Sequence, residues 1–179
     1  MKKFTTILLA VCIVLLSGCA AFNLKTNDIK VAAETDPQAN MAGYKSYSWL
    51  GSARVLIDPN NRWQPPAMDI AGDIIYLIDR ELNKHGIYSN NQNPDLAVAF
   101  FIGIDMDGQK IVDNPDTKVD VLENVPRGAL VVTLINVETG YVVWIGTAEA
   151  DITEGAAEEL IRERLDYAVS KMFKLMKQR

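Results

Sequence analysis

Little in this chain suits metal, thiol or phosphate chemistry. Its 179 residues include one histidine, His85, and two cysteines, Cys12 and Cys19. A zinc or copper site draws most of its ligands from imidazole and thiolate, so neither metal is expected and the sequence implies no cofactor. There is no phosphate-cradling loop: Gly103-Ile-Asp-Met-Asp-Gly108 has the glycines, but no Lys or Ser/Thr follows them. Internal repeats and low-complexity tracts are absent. Positive charge is also scarce, with 18 Lys and Arg against 23 Asp and Glu and a formal charge of −5. That balance argues against nucleic acid as a partner. The longest apolar run, Phe4 to Leu16, spans about thirteen residues, whereas a membrane-crossing helix needs about 20.

That run is informative for where it stops. Lys2 and Lys3 precede it, as in a signal peptide whose apolar region takes about 7–15 residues. It ends in Leu16-Ser17-Gly18-Cys19, which resembles the lipobox of bacterial lipoproteins: an aliphatic residue, two small ones, then cysteine. The resemblance implies a diacylglycerol on the Cys19 sulfur, cleavage between Gly18 and Cys19, and an acylated new N-terminus. Ala20, where enterobacterial lipoproteins retained at the inner membrane carry aspartate, implies an outer-membrane location facing the periplasm. The organisation expected is a cleaved signal over 1–18, a lipidated tether over 19–27, and one domain over 28–179. Losing Lys2 and Lys3 takes the formal charge from −5 to −7. With Cys12 removed and Cys19 lipidated, no free thiol remains, which suits an oxidising compartment. The partners expected are the membrane, through the N-terminal lipid, and an envelope protein, glycan or lipid.

The mature segment predicts an α+β fold: two layers, a mostly antiparallel sheet with two helices packed on one face. Asp28–Glu34 and Tyr44–Leu50 alternate as strands, and Gly51–Pro66, with its prolines and asparagines, predicts a loop. Ile70, Ile74, Leu77, Ile78 and Leu82 share one side of a helix from about Pro66 to His85, with Gly86 as its left-handed stop. Leu96–Ile104 is a strand, and Gly108–Pro126 is irregular with a short strand near 118–122. Ala129–Val137 and Tyr141–Ala148 form a hairpin around Glu138-Thr139-Gly140. Thr153 is expected to cap a final helix reaching about Lys177, with Leu160, Ile161, Leu165, Ala168, Val169, Met172, Leu175 and Met176 on one side.

Three motifs then stand in order: Tyr44-Lys-Ser-Tyr-Ser-Trp49, Asn93-Pro-Asp-Leu-Ala-Val98, and Thr139-Gly-Tyr-Val-Val-Trp-Ile-Gly146. Together they resemble a bacterial lipoprotein family known as domain of unknown function 4136, over about Asp28 to Met176. The family implies an envelope lipoprotein without an assigned activity. Ile145 departs from the pattern, which often has Arg there.

Candidate chemistry is thin. His85 lies at a helix end, where it can serve the helix dipole, and no serine sits in a Gly-x-Ser-x-Gly elbow, so no catalytic residue is assigned. Asp105, Asp107, Asp113, Asp116 and Asp120 offer oxygens for calcium but lack EF-hand spacing, and Asp-Gly after a strand is a turn signal. No metal site is assigned. Trp49 and Trp144 lie in strands and read as core. Arg62 and Trp63, in a proline-rich loop, are the candidate anchor for a partner. The function expected is a non-catalytic binding or structural domain. The alternatives are an envelope hydrolase using His85, or a carrier of calcium or a small ligand.

Overall fold

The computed structural model of the chain describes residues 26–113 and 120–177. Gly18, Cys19 and the whole signal-like segment lie outside the described residues, as does Asp116. The elements run β1 Lys30–Thr35, β2 Ser46–Ile57, α1 Ile70–Lys84, β3 Tyr88–Ser89, β4 Leu96–Asp105, β5 Gln109–Asp113, β6 Asp120–Asn124, β7 Arg127–Asn136, β8 Val142–Asp151 and α2 Glu158–Lys174. Six strands form one sheet in the order β1-β8-β7-β4-β2-β3, and β5 and β6 pair separately. Pairing is antiparallel from β1 through β4 and parallel where β2 meets β4 and β3. This is the expected α+β architecture, with one addition: α1 is the crossover that lets β2 and β4 run the same way.

One core lies between sheet and helices. Leu96, Val98 and Phe100 of β4, Leu130, Val132 and Leu134 of β7, and Trp144 of β8 meet α1 and α2 there. Their two-residue spacing puts them on one face of the sheet. Burying each large apolar side chain is worth about 1.5–3 kcal/mol. α1 contributes Ile74, Leu77, Ile78 and Leu82, as its periodicity predicts, and also Glu81. The Glu81 carboxylate accepts from Lys84 Nζ at 2.8 Å, Arg80 Nη2 at 2.6 Å and Ser170 Oγ at 3.1 Å. Arg80 also binds Asp166, which ties α1 to α2. Burial alone would raise the Glu81 carboxyl; the hydrogen bonds from Lys84, Arg80 and Ser170 outweigh it and hold the group below its ordinary value.

The motifs that carry the family resemblance prove to be structural. Tyr47 Oη donates to Asp79 Oδ1 at 2.5 Å, and Trp49 Nε1 donates to the same oxygen at 3.0 Å, fastening β2 to α1. Asp95 Oδ2 accepts from Lys45 N, Ser46 N and Ser46 Oγ, so one carboxylate gathers the starts of β2 and β4. In the hairpin, Asn136 Oδ1 accepts from Glu138 N and Thr139 N, and Gly140 takes φ +74°. Trp144 is 1% exposed, with its ring 4.8 Å from that of Phe173. Gly146 is glycine because a Cβ there would fall 2.5 Å from the Trp144 ring.

Five expectations need correction. Gly108–Pro126 is not irregular: Gln109–Asp113 and Asp120–Asn124 pair as an antiparallel ladder. β2 does not end at Leu50 but continues to Ile57; a bulge between Trp49 and Gly51, with Gly51 at φ +154°, lets the strand keep pairing with β4. α1 starts at Ile70 and not near Pro66, because Asp69 is the better cap and accepts from Gly72 N at 3.1 Å. Thr153 does not cap α2: Gly155 at φ +68° turns the chain, Thr153 O takes Ala156 N, and the helix begins at Glu158. Leu175 lies beyond the end of α2 and is 44% exposed, while Phe173, absent from the expected stripe, is fully buried. The C-terminus of α1 is as expected. Gly86 has φ +75°, with Gly86 N donating to Asn83 O and Ile87 N to Leu82 O.

Candidate functional site

The core is not filled to both ends. The facing pairs of β7 and β8 run Leu134–Trp144, Val132–Gly146, Leu130–Ala148 and Gly128–Ala150. Side-chain volume on the helix-facing side therefore falls towards the start of β7. What is left there is a partly open cavity of about 470 Å³, within the ~300–1,000 Å³ typical of small-molecule sites. Its sheet side is Ile102, Ile104, Gly128, Leu130, Ala148 and Ala150. Ile70 and Ile74 of α1 and Ile161, Leu165 and Ala168 of α2 form the helix side. Trp63, Pro65 and Pro66, from the segment between β2 and α1, close another side. A smaller cavity of about 150 Å³ shares those three residues.

The closing segment is held by its own hydrogen bonds. Asp58 accepts from Arg62 N at 2.9 Å and Trp63 N at 2.7 Å, which holds its carboxyl below the usual range. The Arg62 guanidinium donates to Met106 O and to Asp107 Oδ1, fixing the segment to the end of β4. At the rim, Arg164 makes two hydrogen bonds to Asp28, at 2.9 and 2.6 Å, and Lys110 pairs with Asp151 at 2.6 Å. Burial would raise the Asp28 carboxyl, but Arg164 and the N–H of Asp151 lower it by more. The result is an aliphatic interior behind a rim whose Arg164 and Lys110 are paired and whose Glu154 is exposed.

Of the residues singled out in the sequence, Arg62 and Trp63 come together at this cavity. Trp63 is half-buried along its wall, and Arg62 anchors the segment that carries it. Trp144 is core. Trp49 is partly buried and packs edge-on against Phe100 at 6.0 Å. His85 follows the last residue of α1, its ring 6.1 Å from that of Phe173. The hydroxyls of Ser46 and Ser170 are engaged with Asp95 and with Glu81 and Asp166. In the acidic stretch, Asp105 Oδ1 accepts from Asp107 N at 3.0 Å and Asp107 binds Arg62. Asp113 pairs in register with Asp120. Among the described residues no three His, Cys, Asp or Glu side chains converge as metal ligands. Sequence reasoning missed the cavity itself. Its signal was present: Gly128, Ala148 and Ala150 are small residues at core-facing strand positions.

The geometry defines a two-layer α+β domain with an apolar pocket at one end of its core. The chain belongs to the family described as domain of unknown function (DUF4136), whose model matches residues 31–175. Among solved structures it is similar to a DUF4136 family protein from Bacteroides thetaiotaomicron, at 13% identity and TM-score 0.51 over 82% of this chain and 95% of that one. It is also similar to a PDZ domain protein from Parabacteroides distasonis, at 16% identity and TM-score 0.48 over 92% of this chain; it spans 40% of that protein's length. A PelC dodecamer subunit from Paraburkholderia phytofirmans aligns at 12% identity and TM-score 0.47 over 84% of this chain and 99% of that one. No curated protein matches the chain.

Proposed function

We propose that this protein is a bacterial envelope lipoprotein, held to a membrane by lipid on Cys19, whose domain binds an apolar ligand without catalysing a reaction. The observation that carries this reading is Leu16-Ser17-Gly18-Cys19 behind a short apolar run, nine residues ahead of Asp28. Two or three acyl chains hold a protein on a bilayer where one alone holds it only marginally. Ala20 favours the outer membrane, with the domain in the periplasm. The aliphatic cavity supports a binding role, since small-molecule sites are concave and mostly apolar. Ser46 and Ser170 do not line the cavity, and their hydroxyls join carboxylates that gather β2 with β4 and α1 with α2, which supports a structural use of both.

The test is to grow the expressing bacterium with labelled palmitate and weigh the N-terminal peptide of the purified protein. Label and a peptide that begins at a lipidated Cys19 are expected. An unlabelled protein, or one that begins at Met1, would refute the anchor.

A further inference from the structure

The cavity's chemistry narrows its occupant. Of the side chains around it, only Trp63 is aromatic; the inner wall is isoleucine, leucine, alanine and methionine, while the polar Gln64, Thr153 and Glu154 that also border it are exposed to solvent. Among the described residues the one buried side-chain polar atom without a partner is Trp144 Nε1, which does not line the cavity. A ligand that carried hydrogen-bonding groups past those exposed residues would give up water and meet aliphatic walls. The cations Arg164, Arg62 and Lys110 are already matched by Asp28, Asp107 and Asp151, and the remaining charge of the lining, Glu154, is an exposed carboxylate, so no bare cation selects an anionic ligand. The arrangement suits a flexible hydrocarbon whose polar end stays outside.

The chain also shows where that hydrocarbon is to be found. Ile29 lines the cavity, and Asp28 beside it makes the Arg164 contact at the rim. The tether therefore joins the fold at the mouth of the cavity. Eight residues lie between Cys19 and Asp28, and the nine steps, at no more than ~3.5 Å each, reach about 30 Å. A domain held by that lead keeps this mouth near the leaflet.

We infer that the cavity takes one acyl chain of a phospholipid from the leaflet to which the domain is tethered; this rests on the cavity being the binding site proposed above. The protein's own anchor is the poorer candidate, because withdrawing one of its chains weakens the attachment that the others must hold. The lipid's head remains among the rim charges, and its tail lies along Ile102, Ile104, Ile161 and Leu165.

The first experiment titrates cis-parinaric acid, whose fluorescence rises in hydrocarbon surroundings, into the Cys19→Ala chain. Saturable binding is expected, weakened ~10-fold or more in both Ala148→Leu and Ala150→Leu, since filling the site by about two methylene equivalents corresponds to that factor. Two filling variants, each checked by its thermal melt, ensure that one misfolded protein does not decide the matter. Binding of toluene with no binding of cis-parinaric acid would overturn the acyl-chain assignment and leave the binding reading intact. Failure of both probes would overturn both. The second experiment places the lipidated protein in phosphatidylethanolamine vesicles whose acyl tails carry a diazirine. Crosslinks on the peptides holding Ile102–Ile104 and Ile161–Leu165 are expected. Their absence, with the protein's own anchor recovered in the cavity, would overturn the assignment to a leaflet lipid.

Discussion

The two ends of the space between sheet and helices are built from the same strands and behave differently. At one end Leu134, Trp144 and Phe173 meet, and the Trp144 ring leaves so little room that position 146 must be glycine. At the other end the same two strands present Gly128, Ala148 and Ala150, and the volume they leave is closed from the side by Trp63 and two prolines. One sheet thus supplies both a packed core and a pocket, and the switch lies in side-chain size along β7 and β8. Interiors packed to crystal density tolerate neither added nor missing methylenes, so the closed end holds the fold and the open end is released from that duty.

Substitutions can break that contrast. The largest effect is expected for Trp144→Ala at the closed end, about 3–5 kcal/mol lost in a urea titration, because a large buried ring leaves a void. Gly146→Ala should follow at about 1–3 kcal/mol, since the added methyl meets the same ring and, at 3.1 Å, Met172 Cβ. At the open end the sign should reverse. Ala148→Leu fills existing space and should leave stability unchanged or raise it by about 0.5–2 kcal/mol. A loss there as large as that of Gly146→Ala would show the two ends to be equally packed.

Acid should sharpen the comparison, because charged groups bind the helices to each other and to the rim. Glu81, ordinarily near 4.5, and Asp28, ordinarily near 3.8, are both lowered in the folded protein. A depressed carboxyl contributes stability that is fully present above its unfolded value and is lost as pH falls through the folded one. The urea midpoint should therefore stay level from pH 7 to about 5 and decline below it. Glu81→Gln should shallow that decline. The smallest effect is expected for Trp63→Ala: under about 0.5 kcal/mol in stability, for a half-buried residue outside the core, but a clear change in uptake of an apolar probe.

The sequence displayed its helices and central strands through periodicity, and its turns through Gly86 and Gly140. It could not display partnership. Glu81 is buried because Arg80, Lys84 and Ser170 surround it, and Ser170 lies on the other helix, a contact no local pattern encodes. Gly51 looked like the start of a loop because glycine interrupts strands as readily as it ends them; only pairing with β4 shows that β2 goes on. The pocket escaped for the opposite reason. Alternation identifies which residues face inward but says nothing of whether opposite faces meet, so Ala148 passed for an ordinary strand residue, while Gly128 and Ala150 fell just outside the expected strands, which the structure extends to Arg127 and Asp151. The anchor at Cys19 was legible because it is written in a contiguous stretch. Arg62 and Trp63 were noticed for their residue types, and the structure supplied the cavity wall they belong to.

The buried indole of Trp144 has a consequence of its own. Its N–H is sealed from water without an acceptor to hold the proton, so only burial delays its replacement by deuterium. In solvent isotope exchange followed by NMR, that single resonance would clock the breathing of the tightly packed end, free of any contribution from hydrogen-bond rupture.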